Sequence, residues 1–306
     1  MLNVAFYIAL RIAAVLVPLV PARVAYALAC TVGGLAYRFL SGPRQGISSN
    51  LARVLNCPAN GSVVQKAVLE AFQHDAKNWV DTLRIRHITR EDIERDVDLS
   101  GWEYIEQGLN EGKGAILIAM HLGNIDLVGQ IVATKGRGLT IPVERMTPES
   151  LFQFIVKQRT HYGINVVPLE RAPREMVRAL KRGDIVGIAG DRNLAGRGVQ
   201  VEFFGARTIL PRGAVTLARR GDVPVFLGVG VRLADDRFRA FITPRIPMTW
   251  TSDHERDVSE NTARIARLME QFIRRFPDQW LVFSPVWPDA QTEHAATIEQ
   301  QSTATV

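Results

Sequence analysis

The sequence contains very little cysteine. Only Cys30 and Cys57 occur in 306 residues. Two cysteines cannot supply the disulfide framework of a small secreted domain or a thiolate metal cluster, so we expect a chain that folds in a reducing compartment. A hydrophobic content of 47% is enough for a sizeable core.

Acidic side chains are absent from the first 69 residues, although six basic residues occur there. The rest of the chain is balanced between acids and bases, so the net charge of +6 arises from this segment alone. The same segment is the most apolar part of the chain. Basic and apolar residues together favour contact with a membrane surface containing anionic lipids, and this location of the charge disfavours a nucleic-acid partner.

Long uninterrupted hydrophobic runs are also lacking. A helix that crosses a bilayer needs about 20 mostly apolar residues, whereas the longest charge-free stretches of residues 1–40 are 12–22 and 24–37, separated by an arginine and containing two prolines. We expect residues 1–40 to form a membrane-associated helical hairpin, broken near Val20-Pro21 and peripheral or shallowly inserted. Two alternatives stay open: snorkelling of Arg11 permits one span, or these helices pack against the rest of the protein.

Beyond residue 60, helical and strand-like patterns alternate, and this predicts an α/β fold with a central mixed, largely parallel sheet flanked by helices. The short connection at Ala234-Asp235-Asp236 predicts one antiparallel pair. We expect one domain over residues 41–290 and a disordered tail over 291–306. The predicted strands are 114–120, 139–143, 164–168, 184–190, 199–204, 223–231 and 237–243, and the predicted helices are 62–85, 101–112, 124–134, 147–162, 172–182, 211–220 and 254–276.

One stretch combines a buried strand with chemically active side chains. In GAILIAMHLGNIDLVG, His121 follows the apolar run, and ligands collect at the carboxyl ends of strands in α/β sheets. With the chain flexed at Gly123 and capped near Asn124, Asp126 in the first helical turn is expected to reach back to the imidazole. Such a pair makes His121 a general base oriented by Asp126. The alternative is structural: a buried histidine with a satisfied contact and a helix N-terminal carboxylate favoured by the dipole.

Signatures of an enzyme nucleophile are missing. The sequence has no G-x-S-x-G elbow and no pair of histidines at metal-binding helical spacing. A base without a nucleophile acts directly on a substrate hydroxyl, and no metal or cofactor is expected. Three other functions are alternatives. One is a nucleotide-binding enzyme, which is disfavoured because Gly228-Val229-Gly230 lacks the third glycine of a dinucleotide-binding loop. The others are a non-catalytic membrane-peripheral lipid-binding module and a lipid-processing hydrolase in which the base activates water.

Several motifs now support a family resemblance. HLGNID resembles the H-x4-D motif of the glycerolipid and lysophospholipid acyltransferases, and MHLGNID resembles the branch that contains the lipid A lauroyl/myristoyl and the phosphatidylinositol mannoside acyltransferases. Four further segments are similar to motifs of that branch and follow in its order, so the resemblance covers residues 1–288. They are RQGISSNL from Arg44, RTHYG from Arg159, GIAGDRNLAGRGVQVEFFG, and FPDQWLVFSPVW.

The resemblance implies a glycerol-3-phosphate acyltransferase-like fold and an O-acyltransferase on the cytoplasmic face of the bacterial inner membrane. The acyl donor would be acyl-CoA or acyl-carrier protein, and the acceptor a hydroxyl of a phosphorylated glycolipid. His121 would deprotonate the acceptor and Asp126 would orient His121. The mannoside branch is favoured because the motif ends in Asp rather than the Glu common among lipid A enzymes. The substrate-binding residues implied are Arg159, Glu144, Glu202, Arg192 and Asn124, although Glu202 alternates with apolar neighbours in a way that also fits a solvent-facing strand position.

Overall fold

The computed structural model describes residues 10–193, 196 and 198–287. The predicted disordered tail, 291–306, lies outside these residues.

A seven-stranded sheet forms the centre of the molecule, in the order β1-β9-β8-β2-β5-β3-β4. All neighbouring strands are parallel except β8 and β9, which form the antiparallel pair predicted from their short connection. β2 lies between β8 and β5, so its carboxyl end is flanked by those of two other strands. The strands are β1 (Val97–Ser100), β2 (Ala115–Ala119), β3 (Leu139–Val143), β4 (Asn165–Pro168), β5 (Ile185–Ala189), β8 (Val225–Arg232) and β9 (Phe238–Ile242).

Helices cover the sheet, which confirms the predicted α/β class. Buried apolar residues on the two sheet faces form two separate core clusters, as expected when helices pack on both sides of a mostly parallel sheet. In the described residues the helices are α1 (Leu10–Leu19), α2 (Ala22–Phe39), α3 (Ser41–Leu55), α4 (Ser62–Arg84), α5 (Arg90–Asp96), α6 (Trp102–Leu109), α7 (Ile125–Thr134), α8 (Glu149–Arg159), α9 (Ala172–Lys181), α10 (Gly213–Gly221) and α11 (His254–Arg275).

A separate two-stranded sheet pairs β6 (Gly198–Phe203) with β7 (Ala206–Pro211) in antiparallel register. β7 was not predicted, and neither were β1, α3 and α5. The turn of this hairpin contains Phe204 and Gly205, both with positive φ, at 51° and 73°. Positive φ at both central positions matches the twist of a two-residue hairpin. A bulky residue rarely adopts that conformation. Phe204 is stabilised there because its ring packs against Trp280 and Trp287.

The N-terminal helices break where the sequence predicts. α1 ends at Leu19, Val20 is extended, and α2 begins after Pro21. Arg84, at the end of α4, donates hydrogen bonds from Nη1 to the carbonyls of Val17 and Val20 at 3.0 and 2.6 Å. The break is therefore fixed to the folded domain.

α2 has two unlike faces. Small residues at helical spacing, Ala25, Ala29 and Gly33, are buried and bring α2 close to α4. A Cβ on Gly33 would lie 2.6 Å from the carbonyl oxygen of Phe72. A second face of the helix has large apolar side chains that are 49% to 73% exposed: Val24, Leu28, Val32, Leu35 and Phe39. We call these five residues the α2 apolar stripe.

Within the described part of the chain, no single helix combines the length and the hydropathy needed to cross a bilayer. α2 and α3 meet that test only as a pair, by length and composition, and they are bent by 94° relative to each other.

Candidate functional site

His121 lies just past the carboxyl end of β2, as predicted, in the turn that leads into α7. Gly123 has a φ of +64°, and a Cβ there would lie 2.1 Å from the carbonyl oxygen of Gly230, so only glycine fits this close approach. Asn124 caps α7 by accepting a hydrogen bond at its side-chain oxygen from the Leu127 amide, at 3.0 Å. These two residues fix the direction in which the imidazole leaves the turn.

The carboxylate that orients His121 is Asp191. His121 Nδ1 lies 2.9 Å from Asp191 Oδ1, and the His121 backbone amide donates to Asp191 Oδ2 at 2.8 Å. Asp191 follows β5, the strand hydrogen-bonded to β2, so the two residues meet at one edge of the sheet. An ionised carboxylate only accepts hydrogen bonds, so Nδ1 carries its proton and neutral His121 keeps a lone pair on Nε2.

The same pairing sets the charge of both groups. Burial lowers the pKa of His121, but attraction to the Asp191 carboxylate and their hydrogen bond outweigh it, and the pKa of the imidazole is raised. Burial raises the pKa of fully buried Asp191, but His121 and the other donors outweigh this effect and hold the pKa of the carboxyl below its usual range. The arrangement stabilises an imidazolium beside a carboxylate.

Asp126 does not orient His121, and this part of the prediction is wrong. Its carboxylate pairs with Arg159, whose Nε lies 2.8 Å from Oδ1 and whose Nη2 donates to Oδ2 at 3.1 Å. Asp126 occupies the first turn of α7, where its side chain meets the end of α8. Its negative charge is still close enough to contribute to the raised pKa of His121.

A C-terminal segment completes the support of the histidine. Trp280, fully buried, donates from Nε1 to Asp191 Oδ2 at 2.9 Å. The backbone of this segment also holds the turn, because Gln279 O accepts from the Gly123 amide at 2.8 Å and the Leu281 amide donates to His121 O at 2.7 Å. The tryptophan of the FPDQW segment is thus a positioning residue for the Asp191–His121 pair.

The RQGISSNL segment anchors the same C-terminal stretch. Fully buried Asn50 donates from Nδ2 to the carbonyls of Val282 and Ser284 at 2.8 and 2.9 Å. Its Oδ1 accepts from the Val286 amide at 2.9 Å. Two motifs more than 230 residues apart therefore act together to place Trp280.

A buried charged network lies under the His121 turn. Asp81 on α4 accepts from Arg232 on β8 and from Asn124 Nδ2 at 2.7 Å. Asn78, one turn earlier, donates to the carbonyl of Gly123 at 2.7 Å. Tyr26 on α2 donates to Asp81 at 2.5 Å, which connects the apolar N-terminal helix to the turn that carries the histidine.

Two cavities of different polarity meet at this site. The first, about 170 Å³, extends from His121 between α7 and one face of the sheet. Its walls are mostly aliphatic, including Leu117, Val132 and Ile164, and glycines of β5, α7 and β8 leave the space open. These aliphatic walls suit a hydrocarbon chain.

The second cavity, about 210 Å³, has a larger share of polar side chains in its lining, beside Trp79, Met146 and Ile155. Asn78, Thr82 and Asp75 of α4 face Arg159 across it, and His121, Asp126 and Arg159 line both cavities. Burial raises the pKa of Asp75 to about 6, partly opposed by a hydrogen bond with Trp79. Hydroxyl and phosphate groups find donors and acceptors in this cavity.

The other predicted binding residues differ in position. Arg192 is close enough for its positive charge to oppose the rise in the pKa of His121. Asn124 is 3% exposed and uses both ends of its amide to build the turn, so its role is structural. Glu144 and Glu202 are exposed and line neither cavity. Glu202 faces solvent on β6, opposite Arg207.

No group of three or more metal-ligating side chains gathers anywhere in the described ranges.

The sequence reasoning missed Asp191 and Trp280. A signal existed for Asp191, since it directly follows the predicted strand 184–190, at the carboxyl end where ligands collect.

Comparison with known proteins identifies the family. The model of the bacterial lipid A biosynthesis acyltransferases matches residues 2–288. A phosphatidylinositol mannoside acyltransferase of Mycobacterium tuberculosis (strain ATCC 25618 / H37Rv) is 29% identical over 252 residues, which cover 80% of this chain and 77% of the relative. Another of the same name, from Mycolicibacterium smegmatis (strain ATCC 700084 / mc(2)155), is 28% identical over 258 residues, 83% of each chain. The chain therefore belongs to the bacterial lipid A biosynthesis acyltransferase family.

Proposed function

We propose that this acyltransferase carries a fatty acyl group from an acyl-CoA or acyl-carrier-protein thioester to a hydroxyl of a phosphorylated glycolipid. The acceptor is of the phosphatidylinositol mannoside or lipid A type, and the names of the relatives favour the former. One observation carries the proposal: a cavity with aliphatic walls and a cavity with more polar side chains in its lining meet at an imidazole whose Nδ1 is bound to Asp191, which leaves Nε2 as the proton acceptor. Such a junction brings a lipid chain and an alcohol to one base.

In this mechanism, His121 Nε2 takes the proton of the acceptor hydroxyl while the oxygen attacks the thioester carbonyl carbon. Asp191 stabilises the imidazolium that results. The carbonyl oxygen becomes an oxyanion, for which the backbone amides of Ile125 and Asp126, at the start of α7 and without intrahelical acceptors, are preorganised donors. Collapse breaks the C–S bond, and the imidazolium returns its proton to the departing thiolate. No acyl-enzyme forms.

The remaining polar residues bind rather than react. Asp126 holds the Arg159 guanidinium at the junction of the cavities, where it fits a phosphate of the acceptor or of the donor's pantetheine arm. Arg192 adds a positive charge near His121. We assign the apolar cavity to the acyl chain because its walls offer dispersion contacts and few hydrogen bonds.

The α2 apolar stripe supports membrane association as part of the proposal. Five large apolar side chains on one helix face form an unusual surface for a water-exposed helix. Placed on the inner membrane with the thioester donors on the cytoplasmic side, this stripe lies in the lipid interface. The protein is then peripheral or shallowly inserted.

The experiment is incubation of the purified protein with labelled palmitoyl-CoA and total bacterial lipid extract, followed by mass spectrometry of the labelled product. We expect label in a phosphorylated glycolipid, and no transfer above about a thousandth of wild type for His121→Ala, because the base is removed. Label in free fatty acid only would identify a hydrolase and refute the proposal. Retention of more than about a tenth of the activity by His121→Ala would refute the role of the imidazole.

A further inference from the structure

A third cavity, of about 400 Å³, lies between α1, the end of α4 and α8. It shares no lining residue with the two cavities at His121. Four basic side chains line it, Arg11, Arg86, His87 and Lys157, and no carboxylate occurs among the described residues that do so. Single-sign charge around a concave surface concentrates anions there.

The basic side chains of this cavity affect the pKa of His161. Burial lowers that pKa, and the positive charges of Arg86 and His87 lower it further. Arg86 and Lys157 are exposed, and neither forms a salt bridge with any carboxylate in the described ranges. Their charges are therefore available to a ligand. An anion with several acceptor oxygens, such as a phosphate, fits this set of donors.

The rest of the cavity is apolar, and this argues for a lipid as the source of the phosphate. Leu83 and Phe154 are buried at its floor, while Val15 and Leu19 of α1 line it and are 66% and 77% exposed. A free phosphate gains nothing from these side chains. An amphiphile gains contacts for its phosphate and for the first part of its hydrocarbon chains.

Gln158 supplies a further requirement. Its side chain lines the cavity and is 5% exposed, and its Oε1 has no hydrogen-bond partner in the described structure. A buried acceptor without a donor is uncommon. Phosphate oxygens cannot satisfy it, but a hydroxyl of a polyol headgroup can.

We propose that this cavity binds the phosphate of an anionic membrane phospholipid with a hydroxylated headgroup, at a site separate from the acyl-transfer centre. Arg86 and Lys157 contact the phosphate, Gln158 accepts from a headgroup hydroxyl, and Val15 and Leu19 lie against the acyl chains. The bound lipid orients the protein on the membrane so that the α2 apolar stripe enters the interface. The proposal does not require that the protein transfer acyl groups.

The test measures binding of the full chain to phosphatidylcholine vesicles with and without phosphatidylglycerol. The double variant Arg86→Gln/Lys157→Gln is compared with Lys181→Gln/Arg220→Gln. Lys181 and Arg220 are also exposed, and they line another cavity at the amino ends of the strands. Each double variant removes two positive charges. We expect the first variant to weaken binding to phosphatidylglycerol vesicles by about tenfold or more, and the control by less than about threefold. Binding to pure phosphatidylcholine should be equal for all three proteins.

Equal losses in the two double variants would reduce the effect to general charge attraction and overturn the site. Titration with inorganic phosphate distinguishes the source: saturation by free phosphate at the same residues, with no preference for vesicles, would overturn the lipid assignment. If the double variant loses its thermal unfolding transition, the single variants replace it, each with an expected loss of about fivefold. A single variant that folds and binds like wild type would also contradict the proposal.

Discussion

The buried carboxylate of Asp191 controls the chemistry of the candidate site. A fully buried ion is costly unless donors surround it, and Asp191 accepts from the backbone and ring of His121 and from Trp280. These bonds keep it ionised and fix the imidazole with Nε2 toward the cavities. The reactive histidine is thus positioned by a residue 70 positions away in the sequence.

Residue-level reasoning located the candidate site better than it predicted the partners of each side chain. The motifs selected His121, Asp126 and Arg159, and all three line both cavities. The error was to pair His121 with Asp126 because they are close in sequence. Which carboxylate reaches an imidazole depends on strand neighbours and on competing cations, and neither is visible in a local motif.

Asp75 gives a stability prediction at the same scale. Its pKa is raised by burial to about 6 from an ordinary value of 3.8, so the folded state binds a proton more tightly than the unfolded state. The free energy of unfolding therefore falls as pH rises between these two values. Above them, the destabilisation of the folded state by ionised Asp75 stays constant. Asp75→Asn removes this cost and still accepts the hydrogen bond from Trp79. We expect the variant to be more stable than wild type by about 1–2 kcal/mol at neutral pH and above.

Urea unfolding of both proteins near pH 4 and pH 8 checks this. The gain should disappear at the lower pH, where Asp75 is protonated in the folded wild-type protein. Glu103→Gln, an exposed carboxylate, serves as the control and should show no such difference. An equal gain for Asp75→Asn at both pH values would show that its charge is not the cause.

At the scale of elements, the order of the strands assembles the site. β5 lies beside β2, although β3 and β4 intervene in the sequence, and this crossover places Asp191 next to His121. Hydrophobic periodicity predicted both strands within one residue of their ends, but it carries no information on which strands are neighbours. Periodicity did not predict β1, because two of its four residues are polar and it pairs only with β9 at the edge of the sheet.

Gly129 on α7 provides a test of the acyl-chain assignment. It lines the apolar cavity, and an added Cβ would contact only Ile164 Cδ1, at 3.6 Å. A leucine at this position would fill the cavity without displacing backbone. We expect Gly129→Leu to lower the rate of transfer from palmitoyl-CoA by about tenfold or more relative to a short donor such as octanoyl-CoA, since a blocked cavity excludes the end of the longer chain.

The matched control is Gly34→Leu, a substitution at a helical glycine with no neighbouring atom within 4 Å and outside both cavities. Its ratio of palmitoyl to octanoyl transfer should match that of wild type. Competition between the two donors in one reaction measures this ratio directly. An unchanged ratio in Gly129→Leu would place the acyl chain elsewhere.

At the scale of the whole molecule, α2 connects an exposed apolar surface to the candidate site. α2 exposes its apolar stripe on one side and reaches Asp81 through Tyr26 on the other. The charge pattern and the break at Val20-Pro21 were readable from the sequence. The network of Tyr26, Asp81 and Arg232 was not, because its members are ordinary residues until the fold buries them together.

The stripe predicts how the protein partitions onto lipid. Leu28→Gln/Leu35→Gln should weaken binding to neutral phosphatidylcholine vesicles by about tenfold or more, because each leucine contributes apolar area to the lipid contact. Val63→Gln/Ile209→Gln also removes two exposed apolar side chains, 58% and 47% exposed, from other surfaces. This control should bind like wild type. Equal binding by both double variants in a vesicle flotation assay would show that the stripe does not contact lipid.

The most direct measurement of the central claim is the pH dependence of kcat/KM for acyl transfer in wild type, Asp191→Asn and Asp126→Asn. His121 acts as a base only when neutral, so the rate rises with pH through its pKa, which attraction to Asp191 raises. We predict that Asp191→Asn lowers the plateau by about 10²–10⁴ and moves the midpoint to lower pH. Asp126→Asn should lower the plateau with a smaller shift of the midpoint, because its main partner is Arg159. A large shift in Asp126→Asn together with an unshifted profile in Asp191→Asn would contradict the account.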